Sequence, residues 1–320
     1  MTQLEQPAVP LSSASVFRDN SMISGYKTCP RYYQLRYKLH WRSQGISMPL
    51  SFGLAWHAGQ DIVWTHAKTQ PQRALAELAT AAFEESWASD GLPAEPSVDE
   101  IDKFGARTPG VAHEMYENYI EHRWKILQEC ELLACEQPFA VPMPGFADVW
   151  YAGRLDKVIK YQAEALVVEH KTTTEYKKEG GFRSTYVTSW FNDSQVKGYQ
   201  FGGSLYYEGL SQVWVDAALV HKQVHNAFRF IPVAHQFPLL AEWVNDTGDW
   251  IRRIEADEQR NYFPKNEGSC VGKYGACSFL NICRTTADPS GLTEVPEGYV
   301  VEEWKPFDIL KLDKLLKGAK

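Results

Sequence analysis

An α/β fold with a mixed central sheet flanked by helices is predicted by three observations. Apolar residues recur at helical spacing through most of residues 21–134. The texture then changes to strand-like runs at 139–141, 149–159 and 165–168, followed by helix, two strands and helix up to residue 262. Of 320 residues, 44% are hydrophobic and 13% aromatic, enough for a sizeable core in one large domain or two small ones.

Residues 1–20 read as a mobile N-terminal arm, polar and without a basic region followed by an apolar one. No run approaches the length of a membrane span, so a cytoplasmic protein with no membrane partner is expected. In that compartment cysteines serve more often as ligands or core residues than as disulfides. Ser21 or Ser24 is a candidate cap for a helix through Tyr32, Tyr33 and Leu35 to Trp41. Ser51-Phe52-Gly53 opens a second helix carrying Leu54, His57, Ile62 and Val63. The Ala- and Glu-rich run 72–89 predicts a third, and Gly91 to Pro96 a surface loop. Val111, Met115, Tyr119, Leu127 and Leu132 predict a helix over 110–134, so that 66–134 forms a helical insertion ahead of the strands. Beyond them come helix over 192–207, strands over 213–220 and 227–231, and a long amphipathic helix over 237–262 ended by Pro264.

Within this frame a few charged residues stand in apolar strands. Asp156 lies inside the run 149–159 with Lys157 beside it, and Glu169 closes Ala165-Leu166-Val167-Val168. A carboxylate there is costly to bury unless something neutralises it, and a divalent cation is one such partner. Side chains alternate along a strand, so Glu169 and Lys171 share a face while His170 points the other way. If the two strands pair as a hairpin, Asp156 joins them. That arrangement suits metal-assisted hydrolysis, with Lys171 orienting the nucleophile or stabilising charge at phosphorus. The competing reading is a surface hairpin whose Asp, Glu and Lys pair in solvent. His57, in Gly53-x-x-x-His57, could bring an imidazole to the same ion, or be a structural histidine. Gln195 and Tyr199, four apart, share a helix face, and Glu136 is a candidate further acid.

The ordered set Gly53-x-x-x-His57, Gly153-Arg154-Leu155-Asp156, Glu169-His170-Lys171 and Gln195-x-x-x-Tyr199 resembles the PD-(D/E)XK nuclease superfamily. More narrowly it resembles the RecB-type and CRISPR-associated iron–sulfur exonuclease branch, found also as solo nucleases in phages. Cys29-Pro30-Arg31-Tyr32-Tyr33 is similar to the N-terminal segment of that branch, and the match spans roughly residues 20–285. The resemblance implies a restriction-endonuclease-like core in a single nuclease domain, residues 21–285, with a tail or helix over 286–320. It implies that His57, Asp156, Glu169 and the His170 main-chain carbonyl bind Mg²⁺ or Mn²⁺. Lys171 is then the catalytic lysine, and Gln195 and Tyr199 complete the site.

Cys29 stands near one end of the chain, and Cys270, Cys277 and Cys283 near the other. Four thiolates suit a [4Fe–4S] cluster or zinc, and their spacing does not choose. The resemblance implies the cluster, as a staple joining the N- and C-terminal segments. Cys130 and Cys135 are left over and are explained as small buried hydrophobes.

The expected activity is a metal-dependent DNA nuclease in recombination, repair or processing, acting on single strands or free ends as an exonuclease with possible endonuclease activity. Trp41, Trp190 and Tyr199 are candidates to stack bases. The net charge of −7 argues against nucleic acid as a partner, but basic residues gather at 27–42, 171–183 and 305–320, and a local groove can differ from the sum. Two alternatives stay open: a non-catalytic DNA- or partner-binding module on a nuclease-like scaffold, and an RNA nuclease. Leu310, Leu312, Leu315 and Leu316 among lysines predict a packed terminal helix, a DNA-contacting arm or a segment that docks a protein partner.

Overall fold

The computed structural model describes residues 15–177, 181–272 and 275–305, in two compact units. One gathers residues 46–137 and 154–236, the other 15–45, 138–153 and 237–305. In chain order the elements begin with β1 (Val16–Arg18), α1 (Asn20–Thr28), α2 (Pro30–Tyr33) and β2 (Trp41–Ser43). Next come α3 (Met48–His66), α4 (Gln72–Ser89), α5 (Val98–Phe104), α6 (Pro109–Glu129), β3 (Glu131–Pro142), β4 (Val149–Tyr161) and β5 (Glu164–Thr173). A short hairpin, β6 (Tyr176–Lys177) and β7 (Gly181–Phe182), leads to α7 (Ser184–Ser189), α8 (Ser194–Tyr206), β8 (Gln212–Leu219) and β9 (Phe228–Val233). The chain continues through α9 (Phe237–Gln259), β10 (Val271–Gly272), β11 (Gly275–Ala276), α10 (Leu280–Thr285) and β12 (Tyr299–Val301).

The first unit is built on a mixed sheet. β4 runs antiparallel to β5 with Lys157 opposite Val168, β5 runs parallel to β8 with His170 opposite Asp216, and β8 runs antiparallel to β9. Alternate residues of β5 face opposite layers. Leu166 and Val168 join a core with Phe52, Trp56, Phe83 and Tyr116 from α3, α4 and α6. Val167 faces α8, where Gly203 leaves a gap of only 3.6 Å between a would-be Cβ and the Val167 methyl. The sheet is therefore sandwiched between helices, as the periodicity predicts.

Gly59 marks the tightest approach in this layer. A Cβ on it would lie 2.0 Å from the Tyr116 hydroxyl of α6 and 2.7 Å from the Ala79 carbonyl of α4. Only the missing side chain lets α3 settle so deeply.

In the second unit β1 pairs in parallel with the start of β4, Val16 opposite Val149. The end of α9 gathers polar partners from the N-terminal segment: Asp257 accepts from Tyr26 at 2.7 Å, and Glu258 from Tyr33 and Arg18, both at 2.8 Å. Leu35, Trp41, Phe279 and Ile282 form a small core of their own.

Three expectations are corrected. The helix predicted through 21–41 breaks at Cys29, whose backbone is extended (φ −164°, ψ 116°) ahead of Pro30, and the chain is a strand again at Trp41. Its cap is Asp19, which accepts the Met22 N–H at 2.8 Å, so Ser21 and Ser24 do not serve. The helix predicted to 134 stops at Glu129, which moves Leu132, Cys135 and Glu136 onto β3. Residues 1–14 of the arm and the leucines at 310–316 lie outside the described residues. Among the described residues no helix is long and apolar enough to cross a membrane.

Candidate active site

The acids and cations singled out in the sequence meet at one end of the first unit's sheet. Glu169 and Lys171, two apart on β5, are in contact, Lys171 Nζ lying 2.5 Å from Glu169 Oε1. Asp156 on β4 accepts the His170 backbone N–H at 2.9 Å, and its same oxygen lies 3.3 Å from His57 Nδ1 on α3. Asp193 caps α8 by accepting from Gln195 and Val196 (2.8 and 3.0 Å), which presents the first turn of that helix to the site. Gln195 Nε2 then donates to Glu169 Oε1 at 3.2 Å and to the Tyr199 hydroxyl at 2.8 Å. Six expected residues, from three elements of the sheet and helix layers and from α3, thus come together.

Their electrostatics are those of crowded carboxylates in a desolvated space. Burial, and then the Asp156 charge, push the Glu169 carboxyl up to about 8, against the pull of Lys171. Burial would also raise Asp156, but His57 and then Lys157 outweigh it and hold that carboxyl well below the usual range. The His57 imidazole gains more from Asp156 than burial takes away, so its pKa rises. Lys171 likewise stays a stronger base than usual despite burial, because Glu169 and Asp156 surround it. Among the described residues, buried Glu169 Oε2 finds no hydrogen-bond partner. An orphaned carboxylate oxygen facing other acids is chemically what a divalent cation would satisfy.

Glu136, the candidate further acid, does belong here. It sits on β3 with φ +50°, a conformation that turns its side chain out of the regular strand alternation. His57, Glu136 and Asp156 each bring a ligand atom within 4.8 Å of the others. Oxygen and imidazole donors of this kind suit Mg²⁺ or Mn²⁺. Glu136 Oε2 is paired with Arg154 Nε at 2.6 Å.

The His170 ring points into the helix layer, its centroid 5.9 Å from that of Trp64 and 6.4 Å from that of Tyr119. It is part of a buried network that motif reading missed. Asp216 on β8 accepts from the Tyr119 hydroxyl at 2.5 Å and from Arg123 Nη2 at 2.7 Å, with His170 Nδ1 at 3.4 Å. Trp64 Nε1 in turn donates to the Tyr119 hydroxyl at 3.1 Å. Burial keeps the His170 imidazole below its ordinary pKa, hence neutral. A signal existed: Asp216 interrupts an apolar strand as Asp156 does. A second missed pair is Lys157, fully buried, with Asp61 on α3 at 2.5 Å. Of the stacking candidates, Trp41 and Tyr199 are buried, whereas Trp190 is half-buried and beside exposed Phe191.

In the second unit the four predicted cysteines are neighbours, and all six cysteines are free thiols. Burial pushes the Cys277 and Cys283 thiols up, and Cys29 adds to the effect on both. Cys270 acts on Cys277 in the same sense, and its carbonyl accepts the Cys277 N–H at 2.8 Å. Cys29 Sγ accepts the Asn266 N–H at 3.4 Å. Cys277 and Cys283 pack on the small core around Trp41 and Phe279. Cys130 is buried and Cys135 half-buried in the other unit.

A mixed sheet flanked by helices, with two acids, a lysine and a histidine gathered at its end, defines a nuclease-type site. The chain belongs to the PD-(D/E)XK nuclease superfamily, whose family profile matches residues 20–284. Among solved structures it is similar to a "putative exonuclease" from Eubacterium rectale, at 13% identity and a TM-score of 0.45, covering 95% of this chain and 98% of that one. It is also similar to SSO0001, at 12% identity and a TM-score of 0.27, covering 66% of this chain and 77% of that one. Among curated proteins none matches the chain.

The buried network gives a stability test. Asp216→Ala strands Arg123 as an uncompensated buried charge, an expected loss of about 3–5 kcal/mol in urea denaturation. Arg73→Ala, which removes an exposed i,i+4 pair with Glu77, should cost less than about 0.5 kcal/mol. Equal losses in the two variants would show that the Asp216 cluster does not hold β8 to α6.

Proposed function

We propose that this protein is a divalent-metal-dependent DNA nuclease that hydrolyses phosphodiester bonds, acting on single strands from free ends with endonuclease activity as a lesser mode. The observation that carries the reading is the pairing of Asp156 with His57 and of Glu169 with Lys171 at one end of the sheet. His57, Asp156, Glu169 and the His170 main-chain carbonyl would hold Mg²⁺ or Mn²⁺. Bound there, such an ion would polarise the scissile phosphate and lower the pKa of bound water.

The chain's own groups do the rest. Lys171, kept protonated by its acidic neighbours, acts as a donor: it orients the attacking water and stabilises charge developing on the phosphate. Gln195 fixes Glu169 from the α8 side, and Tyr199 fixes Gln195, so the carboxylate is already oriented before substrate arrives. Water adds to phosphorus, and the bridging oxygen leaves with a proton. Trp190 and Phe191 offer aromatic surface on which bases of a single strand could stack.

On the same resemblance, Cys29, Cys270, Cys277 and Cys283 would hold a [4Fe–4S] cluster as a structural staple. Closing the roughly 240-residue loop between Cys29 and Cys270 restricts the unfolded chain by about 5 kcal/mol on chain-entropy grounds.

Three outcomes test these assignments. Asp156→Ala and Lys171→Ala should each lower Mn²⁺-dependent degradation of end-labelled single-stranded DNA by about a hundredfold or more, with matched RNA assayed alongside. Activity that survives equally in both variants would belong to a contaminant. With the Glu169 carboxyl at about 8 in the ion-free protein, a bound cation must displace its proton at neutral pH. Mn²⁺ affinity, followed by electron paramagnetic resonance, should therefore fall by at least roughly tenfold per pH unit from about pH 8 down to about pH 6, because the raised His57 imidazole must lose its proton too, and level off above. A flat profile would remove Glu169 from the ion's ligands. Finally, protein purified without air should be brown and contain iron and sulfide, and Cys277→Ala should be colourless and poorly soluble. Brown, folded Cys277→Ala protein, or zinc in place of iron, would refute the cluster.

A further inference from the structure

Arg154 is the one exposed residue in the stretch of β4 from 149 to 159, and nothing in the mechanism above uses it. It lies two residues before Asp156, so the two side chains leave the strand on the same side. Its Nε is held by Glu136 Oε2 at 2.6 Å, while its side chain is 43% exposed against 20% for Glu136. Among the described residues Glu136 is the one ion-pair partner of the Arg154 side chain. Glu136 in turn brings a carboxylate oxygen within 4.8 Å of ligand atoms of His57 and Asp156, so the guanidinium sits beside those groups. The result is a half-exposed guanidinium held through Nε beside the site.

We propose that Arg154 binds a backbone phosphate of the nucleic-acid strand next to the scissile one, and that Glu136 is the positioning residue that aims it. The proposal rests on the nuclease reading and names how that site grips its substrate. A guanidinium donates to two non-bridging phosphate oxygens at once, which a lysine cannot do. Fixing Nε selects one plane for the fork and removes much of the ordering that binding would otherwise require. The pairing is also asymmetric in a useful way. Glu136 holds Nε, and the 43% exposure of the arginine side chain leaves it open to an anion from solvent. Lys171, by contrast, has its ammonium against Glu169 and is committed to the reacting centre. An ordinary surface ion pair would look similar in isolation, but it would affect neither substrate affinity nor its salt dependence.

The test uses the full chain with a labelled single-stranded DNA. Binding is read by fluorescence anisotropy with Ca²⁺ in place of Mn²⁺, and cleavage by steady-state kinetics with Mn²⁺. Arg154→Ala should raise Kd and KM by about tenfold, with the loss in KM rather than kcat, and should flatten the plot of log affinity against log salt by about one phosphate contact. Arg154→Lys should restore the salt slope while recovering only part of the affinity. Glu136→Gln should weaken DNA binding about threefold when anisotropy is read in EDTA, with no divalent ion present. Wild-type Kd and salt slope in Arg154→Ala would overturn the proposal. So would a Glu136→Gln variant that binds DNA as tightly as the wild type in EDTA. If the wild-type protein cleaves DNA and Arg154→Ala matches it, only this inference fails. If the wild-type protein binds no strand and cleaves none, the nuclease reading fails and the phosphate assignment goes with it.

Discussion

The repulsion between Asp156 and Glu169 governs the arrangement around them. Both are buried at the end of paired strands, and neither finds enough water to spread its charge. Each has a cation of its own: the imidazole of His57 stands against Asp156, and the ammonium of Lys171 against Glu169. The neutralisation is uneven, since Asp156 is held strongly ionised while Glu169 clings to its proton. That imbalance leaves one oxygen buried without a partner. On the proposed assignment, a divalent cation held by these acids would relieve that repulsion.

The scaffold behind these groups is charged as well. On the helix-layer side of β5, Asp216 ties together Tyr119, Arg123 and the His170 ring, and the neighbouring Lys157 is matched by Asp61. Glu169 and Lys171 face α8 while His170, between them, is locked into α6. Strand β5 is thus held from both sides across three consecutive residues. Such clamping matters because ligand and lysine must keep their mutual geometry to within a fraction of an ångström. An apolar residue in place of His170 could fill the volume but could not reach Asp216.

Much of this was legible in the sequence because acids inside apolar strands are rare and expensive. Asp156, Glu169 and Lys171 stand out for that reason, and period-two alternation already separates Lys171 from His170. His57 and the Gln195–Tyr199 pair needed the whole ordered pattern, since each alone reads as ordinary helix chemistry. Three features were not legible. The break at Cys29 depends on an extended residue ahead of Pro30, which helical spacing masks. The end of α6 at Glu129 is hidden because Leu132 continues the helical register, and this concealed that Glu136 belongs to a strand. The Asp216 network joins residues 93 and 97 apart on α6 and β8, and no local pattern encodes such a meeting.

The bare backbone at Gly59 has a consequence of another kind. Helix α3 delivers His57 from one turn and rests on Gly59 barely half a turn later, with the Tyr116 hydroxyl filling the room a methyl group would need. The reach of the imidazole toward Asp156 is therefore set by steric contact on the far flank of the helix, among groups with no part in hydrolysis. One added carbon there would wedge the helix outward and leave every acid intact. A relative could in this way lose its chemistry while its motif residues still spelled out an enzyme.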